Sequence, residues 1–195
     1  SGLAALLLLL LQELVRARQA GRAEDVEMDE PGAAFAEVEW LADLAAGVAS
    51  TPPVGDRLRA FAALLDHLRS GLPGGTRPSR STQRLVATFV TEQLGRIKSA
   101  ESAAAQAVDG APFSLVLQAA LKQMQALGAA LKDMSGKKRA AQTALIDSLC
   151  SCVAALEGLV DAPAYVGVLV TLATADEGGE TATRCLRLLA EKVAG

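Results

Sequence analysis

Pro163-Ala164-Tyr165-Val166-Gly167-Val168-Leu169-Val170-Thr171-Leu172, then Asp176-Glu177-Gly178-Gly179, then Ala182-Thr183-Arg184-Cys185-Leu186-Arg187-Leu188-Leu189 spells out two helices and the turn between them. It opens on a proline, whose missing N–H costs nothing in a first helical turn. Spaced Leu and Val follow, and the polar Asp-Glu-Gly-Gly run breaks the pattern. The apolar period then resumes, with Ala182, Cys185, Leu186, Leu189 and Val193 expected to face inward. These spacings predict two amphipathic helices, 163–174 and 180–193, joined by a tight turn and packed antiparallel.

The same period extends upstream. A helix over 137–159 carries Leu145, Leu149, Val153, Leu156 and Val160, and one over 113–134 carries Leu117, Leu121, Met124, Leu127 and Leu131. A helix from about Ser81 shows Val86, Val90, Leu94 and Ile97, running on through Ala-rich residues to Val108 before Asp109-Gly110-Ala111-Pro112. Further up lie helices over 55–70 (Leu58, Phe61, Leu65, Leu68), 33–49 (Val38, Leu41, Ala45, Val48) and 3–19. The stretch from Gly71 to Ser81, rich in Gly and Pro, is the strongest break. The acidic run from Arg22 to Gly32 has no apolar period and reads as a solvated connector.

Composition agrees. The chain is 51% hydrophobic but only 3% aromatic, so its core must be built from Leu, Val and Ala, which suit helix-on-helix packing. Sandwiches and barrels draw more on aromatic and β-branched residues. The class is all-α, about eight helices, with no sheet beyond an incidental bridge. A net charge of −3 argues against generic nucleic-acid binding by the whole chain. Cys150, Cys152 and Cys185 are odd in number and poorly spaced for a helical disulfide, so free thiols in a reducing compartment are expected.

The C-terminal pair resembles one HEAT or armadillo repeat, in which a Pro-initiated helix of spaced Leu and Val precedes a second helix of the form A-x-x-a-L-x-x-L. Arg139-Ala140-Ala141-Gln142-Thr143-Ala144-Leu145-Ile146-Asp147-Ser148-Leu149 is similar to that second helix. The resemblance covers 162–194 and, more loosely, 113–160. It implies antiparallel helix pairs stacked as an α-solenoid. Pair starts near 53, 112 and 162 are unevenly spaced, which keeps a closed helical bundle as the alternative. Residues 1–195 are read as a single all-α domain, with one subdivision suggested near 71–81.

The start of the chain sets a separate expectation. Leu6 to Leu11 occupies every angular position of almost two helical turns. It is too short to span a bilayer, and no membrane insertion is expected. A helix apolar all round is normally buried all round. The opening Ser1-Gly2 lacks a methionine, so this helix is expected to be internal to a larger protein. No single interface within the chain is expected to cover the leucines, and self-association through Leu6–Leu11 would follow.

Chemistry is sparse. His67 is the only imidazole, with no evident triad partner, and reads as an ordinary helix histidine. P-loop, dinucleotide-binding, H-E-x-x-H and C-x-x-C patterns are lacking in the sequence. No enzymatic activity, cofactor or metal is therefore expected. Two basic clusters remain: Arg77, Arg80 and Arg84 at and after the Gly/Pro break, and Lys132, Lys137, Lys138 and Arg139 flanking Ser135-Gly136. Cations in a helix's first turn oppose its macrodipole, and a local cost without local gain marks a surface for phosphate or an acidic peptide. A solvated corner is the plainer alternative.

The expected function is a non-catalytic, intracellular (cytoplasmic or nuclear) scaffold or adaptor, whose helical ridges and grooves dock other proteins or the rest of its own polypeptide. A helical scaffold holding RNA or DNA on the basic clusters is the second expectation. A vinculin- or talin-like structural bundle is the third.

Overall fold

The long breaker-poor stretches fold as eight α-helices in the computed structural model, which describes residues 2–24, 32–73, 75–100, 110–175 and 179–194. They are α1 (Gly2–Glu24), α2 (Gly32–Ser50), α3 (Val54–Ser70), α4 (Arg80–Ala100), α5 (Ala111–Ala130), α6 (Gly136–Ala155), α7 (Ala162–Ala175) and α8 (Glu180–Ala194). A single 3-10 turn, Leu131–Asp133, follows α5. Among the described residues there is no strand, only an isolated bridge between Glu157 and Val160. Most of the acidic connector, the extension of α4 towards Val108, and Asp176 to Gly178 lie outside the described residues.

The apolar stripes become the core. Leu58, Phe61, Leu65 and Leu68 are buried on α3, as are Val86, Val90, Leu94 and Ile97 on α4. The stripes predicted for α5 and α6 are buried throughout. Phe61 and Phe89 meet edge to face, ring centroids 6.5 Å apart, which ties α3 to α4. On α2 the buried row is Leu41, Ala45 and Ala49, with Val38 and Val48 half-buried at its edge.

Two local expectations are corrected. α6 stops at Ala155 rather than continuing to Leu159, because the chain turns at Gly158 (φ 79°), a left-handed conformation that favours glycine. Leu156 and Val160 remain buried across that turn. On α8, Leu186 faces solvent and Leu188 takes an inward place beside Ala182 and Cys185, with Leu189 half-buried. Leu186 follows Cys185 by one residue, a rotation of about 100° that carries it off the buried face. The side chain of Val193 lies outside the described ones.

Gly71 makes the sharp exit from α3. Its φ is 74°, and a Cβ there would meet the Thr76 carbonyl oxygen at 2.5 Å, so no larger residue fits. The turn brings α4 back against α3, and α3 then packs along α5 while α4 packs along α6. Cross-links hold the helices in place. Lys122, just past the middle of α5, pairs with Asp66, about three-quarters of the way along α3, at 3.0 Å. Arg80 and Gln142 join the starts of α4 and α6, while Lys98 Nζ donates to the Glu157 carbonyl near both ends, at 2.8 Å. α4 and α6 therefore run parallel, with their N-termini at one corner.

α8 continues that row. It lies against α5 and α6, parallel to α6, through Arg184–Asp147 at 2.6 Å and Lys192–Glu157 at 3.1 Å. α7 packs principally on α8, anchored by buried Tyr165, whose hydroxyl donates to the Val153 carbonyl. At the other end α1 lies against both α3 and α4, and α2 packs principally on α1.

That placement sets how far the leucine run is covered. Ala4, Leu7, Leu8 and Leu11 are fully buried, Leu14 nearly so, and Leu10 partly. Leu6 and Leu9 are the exposed pair, at 45% and 52%. Sequence showed one interface to be insufficient; α2, α3 and α4 supply three, and together they cover most of the run.

Candidate functional site

The corner where α4 and α6 begin carries the most unusual polar arrangement among the described residues. It is built from the turns upward. Ser79 caps α4, accepting a hydrogen bond from the Thr82 N–H at 3.1 Å. This fixes Arg80 as the first residue of the helix. Its guanidinium then donates to two side-chain amides, Gln83 Oε1 at 2.7 Å and Gln142 Oε1 on α6.

Both amides are buried and tied at their other ends. Gln83 Nε2 donates to the Pro78 carbonyl at 2.9 Å, and Gln142 Nε2 donates to the Leu127 carbonyl on α5 at 2.8 Å. A buried amide is costly unless it is hydrogen-bonded. Here two of them hold one arginine, and neither neutralises it. The charges that act on Arg80 are Arg77 and Arg69; burial first, then these two cations, push its pKa below the ordinary arginine value.

The second basic cluster meets the first here. Lys137 and Lys138, in the first turn of α6, line a hollow of about 380 Å³ together with Arg80, Met134 and Ala141. The first turn of α6 holds no acid, and Ser135 at its N-cap position makes no side-chain capping bond. Arg77, Arg84, Lys132, Lys137 and Lys138 are exposed, and none forms an ion pair among the described residues. The surface of the hollow itself is nearly all apolar, so these side chains line it mainly with carbon, while the cations around the corner and the positive end of a helix dipole attract anions.

Not every predicted cation joins it. Arg139 lies on another face of α6, with Thr143 and Asp147, and is already engaged. Its guanidinium donates to the Leu131 carbonyl at 3.1 Å and reaches Glu180 at 3.5 Å, so it ties the end of α5 to α8. Lys132 and Arg84 are exposed and do not line the hollow. Gln83 and Gln142 escaped the sequence reading, although a signal existed. Each lies three residues before a buried stripe residue, Val86 and Leu145, so each is a polar group on an apolar face.

Other features offer less. A hollow of about 230 Å³ between α1, α2 and α4 carries both signs, Arg18 and Arg96 with Asp43 and Glu92, and so selects no charge. His67 is half-buried near the end of α3. All three cysteines are free thiols. Burial pushes Cys152 up to about 12 and Cys185 up to about 11, and raises Cys150. Among the described residues no group of three or more His, Cys, Asp or Glu is placed to hold a metal ion. No helix among them is long and apolar enough to cross a membrane. Comparison with protein-family profiles, with curated proteins and with solved structures returns no match for this chain.

Proposed function

We propose that this chain is a non-catalytic docking module that holds an acidic segment of a partner protein on the α4–α6 corner. One observation carries the reading: Arg80 is held in place by two buried amides and pairs with no carboxylate among the described residues, at a hollow that Lys137 and Lys138 also line. A pre-oriented guanidinium matches the two oxygens of a carboxylate, and flanking lysines add attraction at longer range. Stacking of the α3–α4 hairpin on the α5–α6 hairpin supports the HEAT- or armadillo-like reading, a scaffold whose corners and ridges take partners. Three free thiols suit a reducing, intracellular setting.

A labelled glutamate-rich peptide and a labelled single-stranded RNA, each titrated with the full chain at low salt, test this reading. The peptide should bind, and Lys137→Glu with Lys138→Glu should abolish that binding. RNA bound more tightly than the peptide, with steep loss as salt rises, would transfer the corner to the nucleic-acid alternative.

A further inference from the structure

We infer that the outer face of α2 is a second docking site, of opposite sign, for a basic amphipathic helix of a partner protein. Trp40, the only tryptophan in the chain, is 61% exposed. Leu44 stands one turn further along the same face and is also exposed. Gly47 continues that face with open space where a Cβ would stand, which leaves room for a close helix. α2 packs principally on α1, so its far side is the outer surface at one end of the helix arrangement.

Charge selects the occupant. Every charged residue of α2 is acidic: Glu37, Glu39 and Asp43. Glu39 and Asp43 are exposed on one side of Trp40, and neither forms an ion pair among the described residues, although Asp43 also lines the hollow that holds Arg18 and Arg96. A partner helix that meets this face needs an apolar stripe for Trp40 and Leu44, with Lys or Arg beside it for the two carboxylates. Exposed tryptophans of this kind contribute disproportionately to binding. An acidic face repels anionic lipid headgroups, which separates it from a membrane-binding helix. The site is independent of the α4–α6 corner, since it uses other residues and takes the opposite charge.

Trp40 is its own reporter, because no other tryptophan contributes to the emission. The full chain is titrated with an amphipathic peptide of leucine and lysine at helical spacing, with the same peptide carrying glutamate for lysine, and with phosphatidylcholine vesicles. The leucine–lysine peptide should shift Trp40 emission to the blue in a saturable way, and the other two should not. Glu39→Lys with Asp43→Lys should reverse the preference between the peptides. By anisotropy of the labelled peptide, Trp40→Ala should weaken binding by about tenfold or more, with an unchanged circular dichroism spectrum. Four results would overturn the assignment: no shift with the leucine–lysine peptide, an equal shift with its glutamate counterpart, a shift with vesicles, or a concentration-dependent blue shift without any peptide, which would make a second copy the occupant.

Discussion

Arg80 on α4 donates a hydrogen bond to Gln142 on α6, and Gln142 passes the connection on to α5 through the Leu127 carbonyl. One buried amide therefore couples three helices and orients the charge at the proposed site. Replacing Gln142 with leucine keeps the volume but removes an acceptor and a donor together, leaving the Leu127 carbonyl and the Arg80 guanidinium each short of a partner. Gln142→Leu should lower unfolding free energy by about 1–3 kcal/mol in urea. An unchanged midpoint would mean that the amide does not organise the corner.

Leucine truncations should separate the helix faces. Leu145 is fully buried, Leu189 is half-buried and Leu186 is 56% exposed. Leu145→Ala should cost about 2–5 kcal/mol. Leu189→Ala should cost less, and Leu186→Ala should stay within about 0.5 kcal/mol, as surface changes do. A large loss at Leu186 would show that α8 is rotated relative to the arrangement described.

Buried thiols contribute to the alkaline limb of stability, together with the Tyr165 hydroxyl, whose pKa burial also raises. Cys152 is fully buried, and its pKa is pushed from 9.0 up to about 12 by desolvation. Between those values the unfolded chain releases a proton that the folded chain keeps. Stability from this group is fully present below pH 9 and is lost as pH rises towards 12. Chemical denaturation between pH 8 and 11 should show falling stability, with a shallower fall in Cys152→Ala. At neutral pH an aromatic disulfide reagent should find the native thiols slow and the unfolded ones fast; rapid native modification of Cys152 would contradict its burial.

Arg184 should act as the clamp on α8. It reaches Asp147 and Glu180, both at 2.6 Å, while its own side chain is only 13% exposed. Hydrogen bonding to Arg184 holds the Glu180 carboxyl below the usual range, so this contribution is present above the ordinary carboxylate pKa and is lost as pH falls. Arg184→Leu should raise amide hydrogen exchange in α7 and α8 more than in α3 and α5. Equal effects in both regions would assign the clamp no local role.

Much of this fold is legible in the sequence. Val86, Val90, Leu94 and Ile97 repeat at a period that only a helix buries on one side, and Gly71 and Gly136 punctuate where the backbone turns left-handed. Harder cases had physical causes. In α8, Leu186, Leu188 and Leu189 crowd together, so two stripes fit the sequence equally well and only packing against α7, α5 and α6 chooses. For the leucine run of α1, periodicity describes one helix, whereas its cover comes from three others and leaves Leu6 and Leu9 exposed. The site was visible as two basic clusters, but their meeting depends on α4 and α6 running parallel. Nothing in a local pattern brings Arg80 to Lys137 and Lys138.

In the proposed docking function, Arg80 works as an oriented fork rather than as one more positive charge. Lys in its place keeps the charge but loses the planar donor pair. The most direct measurement is the Kd of a labelled glutamate-rich peptide for the native chain, Arg80→Lys and Arg84→Lys, at matched ionic strength. Arg80→Lys should weaken binding by about tenfold, corresponding to a lost charge-assisted bond of about 1.4 kcal/mol, while Arg84→Lys should leave it unchanged. Equal affinity for all three proteins would contradict the account and reduce the corner to general electrostatic attraction.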